Sequence, residues 1–256
     1  MSLHLFKLGV LHYLKRMSKD PFSMAVYVLL PVVIVYILAT IYSTNHDDPA
    51  EYFYVNGYNM IITHFAVGMM LLFQLNGGIH ILHFLNQTFQ KPMKWRLKAS
   101  PCPLSMFVFS GVFACLIFTS LQGLLIVAIT SIFFNAYWGS LLVTVITIFI
   151  ISFISMLIAI FVFLFVRNLN TAEYVSWGIG FTMATLAGMM FPMPDNAFFR
   201  FMAQYGSPFA LARSAIFESG FLATGSTSSY IYILILVAVS LVLSGIVTVL
   251  SRRRLV

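Results

Sequence analysis

Five stretches of this 256-residue chain, 21–46, 52–90, 99–166, 174–194 and 219–251, contain no Asp, Glu, Lys or Arg. A helix needs about 20 apolar residues to cross a bilayer, so each stretch holds at least one crossing and 99–166 holds two. Hydrophobic residues make up 61% of the chain and charged residues 8%, against roughly a quarter charged in a soluble domain. That balance excludes a soluble enzyme, a secreted disulfide scaffold and a nucleic-acid-binding domain. Lipid permits only helices and closed barrels, because every backbone polar group must find a partner. Barrel strands alternate apolar and polar residues over about 10 positions, whereas Val143–Val166 and Ile231–Leu250 are continuously apolar. The expected fold is an all-α polytopic membrane protein.

The two cysteines, Cys102 and Cys115, provide no disulfide framework and read as reduced thiols. A surplus of 14 basic over 7 acidic side chains reports orientation and contact with anionic lipid head groups rather than nucleic acid.

Residues 3–19 form an amphipathic pattern. Leu3, Phe6, Val10, Tyr13, Leu14 and Met17 follow helical spacing, and Lys7, His12, Lys15, Arg16 and Lys19 fall between them. The expectation is a helix lying in the membrane interface. A cleaved signal peptide fits less well, since a full-length span follows and no small-residue cleavage site is evident. Six transmembrane helices are then expected at about 22–43, 59–84, 105–132, 138–166, 174–192 and 229–250. The N-terminal segment, the loop after span two, Arg167 and Arg252–Arg254 share one side and hold 12 of the 14 basic residues. By the positive-inside rule both termini are cytoplasmic. On the other side, Ala197–Tyr205 and Pro208–Glu218 read as two helices too short to cross, broken at Gly206-Ser207-Pro208 and bearing exposed-looking aromatics at Phe198, Phe199, Phe201, Phe209 and Phe217. They suggest a re-entrant hairpin dipping into the outer leaflet before span six; the alternative is a plain surface loop.

The chemistry is constrained by what is missing. No charged residue falls at the middle of a span, where each costs about 2.5–3.5 kcal/mol on insertion scales. This argues against an ion-coupled carrier, although backbone carbonyls can bind sodium, and against an intramembrane protease or transferase. No G-x-x-x-x-G-K-[ST] phosphate loop is present, so ATP-driven work requires a separate ATPase. His80 and His83, at i, i+3 near the end of span two, have no carboxylate or thiolate beside them in sequence. They read as interfacial, hydrogen-bonded histidines rather than a metal site, and His64 lies within the same span. Asn59, Gln74 and Asn76 in span two and Gln122 in span three either hydrogen-bond across helices or line a substrate path. Ser176, Gly180, Ala184 and Gly188 recur every four residues in span five, a small-residue ridge that admits close approach of another helix, in this chain or a second copy. Met183, Met189, Met190 and Met193 surround it. Span five is therefore expected near a subunit interface and bordering a translocation path.

Six spans, cytoplasmic termini, a basic loop after span two and a broken outer hairpin together resemble the type-2 ABC exporter permeases, the ABC-2 membrane subunits of type V exporter fold. Lys94-Trp95-Arg96-Leu97-Lys98-Ala99-Ser100-Pro101 matches that family's basic-apolar segment ending in Ser-Pro. Phe191-Pro192-Met193-Pro194 closes span five, and Ser207-Pro208 with Arg213 lies between the outer helices. The loop departs from the family pattern in carrying Gln87, Gln90 and Lys91-Pro92 where a Glu–Arg pair and a Gly are frequent. The resemblance implies a single permease domain over 1–256. Its parts would be an interfacial helix 1–21, spans one to five over 22–192 with a coupling loop 85–104, an outer hairpin 193–228, and span six with a basic terminus 229–256. It also implies that Lys94, Trp95, Arg96 and Leu97 dock against a partner ABC ATPase, which carries the ATP and Mg, while this chain holds no cofactor and no catalytic site. A second permease copy, identical or related, would complete the path in the plasma membrane. The Met- and Phe-rich character points to export of a lipophilic drug, antibiotic or amphipathic peptide rather than a long sugar polymer, with a lipid or polysaccharide exporter as the alternative within the family. A non-transporting scaffold or receptor subunit fits the same topology.

Overall fold

A computed structural model of the chain describes residues 2–19, 21–44, 54–55, 58–89, 104–166, 168–189, 194–221 and 225–255. The first helix, α1 (Ser2–Met17), buries Val10 and Tyr13 and leaves Lys7, His12, Lys15 and Arg16 exposed, as its spacing predicts. It lies along α5 (Leu104–Phe134), where a Cβ on Gly9 would meet Ser110 Oγ and Cβ. Next in the chain, α2 (Pro21–Thr44) packs on α3 (Met60–Phe73) and on α5. A two-residue antiparallel ladder, β1 (Tyr54–Val55) with β2 (Tyr58–Asn59), precedes α3 and is the one extended pairing among the described residues. Asn59 then caps α3, its Oδ1 accepting from Ile62 N at 3.1 Å.

Span two is two helices rather than one. The chain turns at Gln74-Leu75 before α4 (Asn76–Phe89) resumes the same path. The break follows from the Asn76-Gly77-Gly78 run, whose weak helix preference lets the backbone leave the ladder. A Cβ on Gly78 would stand 2.9 Å from Ala159 Cβ and 3.0 Å from Ser155 O, so this glycine also lets α4 press against α6 (Leu141–Val166).

Five segments are long and apolar enough to cross a membrane: Met24–Ile41, Met60–Gln87, Phe107–Phe134, Leu141–Val166 and Ser228–Ser251. The predicted fifth span starts earlier than expected, as α7 (Leu169–Leu186), with Asn168 Oδ1 accepting from Asn170 N at 3.0 Å. Its first five residues include the polar Asn170, Thr171 and Glu173, which lowers its average hydropathy below that of the five crossing segments. Its path nevertheless runs through the bundle. Glu173 lies beside His83, Gly180 against Leu75, and Met189 against Gly68, which are three successive levels of span two.

Beyond α7 come α8 (Ala197–Tyr205) and α9 (Pro208–Phe221), then the long α10 (Gly225–Leu255). Buried side chains fall into a large cluster near the hairpin end, including Phe65, Met70, Ile148 and Phe209, and a second around α1 and α4, including Tyr13, Phe84 and Met156. This is a multi-pass helical membrane protein, with an amphipathic helix at one end of the bundle and a helical hairpin at the other.

Candidate functional site

The hairpin enters the bundle rather than lying on it. At its tip, Ser207 Oγ donates to Met183 O at 3.3 Å and accepts from Ala210 N at 3.1 Å, capping α9. One turn further, Arg213 Nη1 donates to Ala187 O at 2.7 Å and to Gly188 O at 3.4 Å, and its guanidinium stands 5.6 Å from the Phe217 ring centroid. At the far end of α9, Ser219 Oγ accepts from Ser140 N at 3.1 Å in the loop between α5 and α6. The contacts therefore descend along α9 from the loop level to Met183. At 1.5 Å rise per residue, Ser219 to Ser207 is about 18 Å, on the order of half the bilayer core. Gly139 makes the entry possible: it sits at φ 59°, and a Cβ there would run into Ser219 Oγ and lie 2.9 Å from Ile216 O.

Arg213 does two physical jobs. The last carbonyls of α7 have no helical partner and carry the negative end of its dipole, and the guanidinium satisfies both. The same contact pins the re-entrant helix to the end of α7. Of the aromatics expected to be exposed here, Phe198 and Phe201 are so, at 58% and 56%, but Phe209 is 1% exposed and Phe217 is half-buried. The two helices differ because α9 is inserted among α3, α6, α7 and α10, whereas α8 has no buried residue.

The small-residue ridge turns inward. Ser176, Gly180 and Ala184 are the buried residues of α7 together with Ala172, and a Cβ on Gly180 would collide with the Leu75 side chain. Gly188 follows the helix at φ 66° and offers its carbonyl to Arg213. Met183 is half-buried at the hairpin tip, and Met189 is buried with its carbonyl 2.9 Å from where a Gly68 Cβ would stand. The ridge's partner is thus within the chain. The face of α7 turned outward carries Tyr174, Val175, Gly178 and Phe181, with Tyr174 77% exposed and nothing within 4 Å of a Cβ on Gly178.

At the break in span two, Gln74 Oε1 accepts from Ser152 Oγ at 2.6 Å, a cross-helix bond of the kind expected for an amide in lipid. Asn76 Oδ1 and Gln122 Nε2 are also buried, without a hydrogen-bond partner among the described residues, as are Ser120, Thr147 and Ser155 hydroxyls. A polar belt therefore crosses the α3–α4 break and the middle of α5 and α6. At the α1 end, Tyr13 stacks edge-on against Phe84 at 4.7 Å and Phe107 at 5.5 Å, so the helices on either side of the basic loop converge on α1. Lys94, Trp95, Arg96 and Leu97, the expected ATPase contact, lie outside the described residues, as do Met190, Met193 and Phe191-Pro192. Only the premise that the histidine pair has no carboxylate or thiol nearby needs correction: His83 Nε2 is 3.1 Å from Glu173 Oε1, and Cys115 shares a cavity with both histidines. Sequence distance hid both neighbours, because α7 and α5 bring them in from elsewhere.

Residues 4–221 match the family model of the ABC-2 type transporter. The chain belongs to the ABC-2 type transporter family. No curated protein and no solved structure matches it. The matched region runs from α1 through the end of the re-entrant α9 and so takes in both ends of the bundle described above. An ABC-2 chain is a membrane transport subunit, and its family works in general with an ABC ATPase. The polar belt and the break at Gln74-Leu75 are features that span-by-span hydropathy passed over. The Asn76-Gly77-Gly78 run was the available signal.

Proposed function

We propose that this chain is the permease of an ATP-driven exporter, energised by a separate ABC ATPase that docks at the α1 end. The observation carrying the reading is the family match over 4–221, joined to the basic segment 91–98 between two helices that converge on the amphipathic α1. Twelve of the fourteen basic residues belong to the segments that the sequence assigns to one side together with α1, and the positive-inside rule supports reading that side as cytoplasmic in the plasma membrane. There Trp95 and Arg96 supply an aromatic anchor and a planar charged fork, with Lys94 and Leu97 beside them, the residue types that dominate interface energetics. ATP-driven closure of two ATPase subunits would move those loops and, through α4 and α5, the packed helices behind them.

A second permease copy completes the path. The ridge Ser176, Gly180, Ala184 and Gly188 with Met183 borders that path through its hold on span two and the hairpin, while the outward Tyr174–Phe181 face of α7 offers the surface for the second copy. The transported class is a lipophilic drug, antibiotic or amphipathic peptide, suited to apolar walls of Met and Phe. Co-reconstitution of permease and ATPase in liposomes tests this: ATP-dependent accumulation of a lipophilic substrate supports the reading. Flux driven by a proton or sodium gradient without ATP refutes it.

A further inference from the structure

A cavity of about 330 Å³ opens at the α1 end between α1, the start of α2, α4 and α5. Its polar lining is one-sided. Arg16 stands at its edge, exposed and without an ion-pair partner among the described residues. His80 forms part of the wall with Nε2 buried and without a hydrogen-bond partner among those residues, wedged between the Tyr27 and Phe118 rings at 5.8 and 5.4 Å. His83 and the Gln87 amide add further donors. Among the described residues no Asp or Glu lines the cavity, and Glu173 beside it is engaged by His83 from α7. The remaining wall is apolar, with Met24 and Phe118 among its residues.

We propose that this cavity binds the anionic head of an amphiphile, a phosphate or carboxylate carried on an apolar chain. A guanidinium is suited to a planar or tetrahedral oxyanion through paired charge-assisted bonds, and the Gln87 amide in the same wall adds a second donor. A metal cation is disfavoured by Arg16. The volume equals roughly ten water-sized groups, more than a bare phosphate occupies, and the Met and Phe walls suit the first carbons of a chain. That chain has an exit toward lipid, since α1 and α2 flank the cavity and present Leu8, Leu11 and Phe22 outward. The ligand of this site does not depend on which molecule the transporter moves, so the inference goes beyond the exporter reading.

The test is native mass spectrometry of the purified full chain in mild detergent, with dioleoylphosphatidylglycerol, dioleoylphosphatidylcholine, dodecyl phosphate and inorganic phosphate as probes. The wild type should retain an anionic amphiphile about tenfold more than the zwitterionic lipid. Arg16→Gln should abolish most of that preference, and Gln87→Leu should reduce it. Arg200→Gln, at the opposite end, should leave it unchanged. Arg16 is exposed, so its variant folds, and an unshifted elution volume verifies that. Retained phosphatidylglycerol identifies bilayer lipid as the source; dodecyl phosphate bound without it identifies a soluble amphiphile. Equal retention of the two lipids, an unaffected Arg16→Gln variant, or displacement by inorganic phosphate as effective as by dodecyl phosphate overturns the proposal.

Discussion

Replacing Arg213 tests how the re-entrant hairpin is held. Its guanidinium makes one short bond, 2.7 Å to Ala187 O, a longer one to Gly188 O at 3.4 Å, and a ring contact with Phe217. A charge-assisted hydrogen bond contributes about 1.5–3 kcal/mol. The interaction with the helix C-terminus adds about 0.3–2 kcal/mol, and the cation–π contact about 0.5–2 kcal/mol. Desolvating the guanidinium offsets part of this sum, leaving a net cost of about 2–4 kcal/mol for Arg213→Met. At about 2–4 °C per kcal/mol for a chain of this size, the apparent Tm in detergent should fall by roughly 4–16 °C. Arg213→Lys keeps the charge but not the fork, and should fall in between. Fluorescence-detected size exclusion after heating reads the midpoint, and a Ser207–Met183 double-cysteine cross-link reports whether the hairpin still reaches its depth. A Met variant with an unchanged midpoint and an unchanged cross-link would refute the reasoning, because the clamp would then be dispensable.

Gly180→Leu should lower the midpoint at a cost of about 1–3 kcal/mol, because its Cβ collides with Leu75. Gly178→Leu, in open space two residues away, should leave the midpoint unchanged and weaken self-association by cross-linking if that face meets a second copy. Ser152→Ala removes the donor to Gln74 Oε1 and should destabilise the chain by about 0.6–2 kcal/mol in a thermal or denaturant titration. Trp95→Ala with Arg96→Ala should leave expression and monodispersity intact while reducing ATPase recovered by pull-down at least about tenfold.

Much of the fold was legible because charge is excluded from lipid. The uncharged runs located five crossings to within a few residues but set the fifth expected span at 174–192, where the helix is Leu169–Leu186 and includes Glu173; the Gly206-Ser207-Pro208 break located the hairpin and both its helices. The amphipathic face of α1 was readable for the same reason, Val10 and Tyr13 being buried where the spacing puts them. What escaped depends on tertiary packing. The turn at Gln74-Leu75 needs Gly78 to meet Ala159, a contact 81 positions away in sequence. The α7 ridge could have faced either another copy or the chain itself, and only Leu75 behind Gly180 decides between them. Phe209 and Phe198 look alike in sequence, yet one is inside and one outside because α9, not α8, is inserted in the bundle. His83 finds Glu173 only when α7 lies beside α4. Lys94–Leu97 fall outside the described residues, so their role rests on the basic-loop pattern and the family.

The central claim, a permease coupled to a separate ATPase, is tested most directly by mass spectrometry of what co-purifies with the chain from its native membrane in mild detergent. The account predicts a stoichiometric soluble ATPase bearing a phosphate loop, lost when Trp95 and Arg96 are both replaced by alanine. A clean homo-oligomer with no ATPase, recovered under conditions that keep the chain folded, would contradict it.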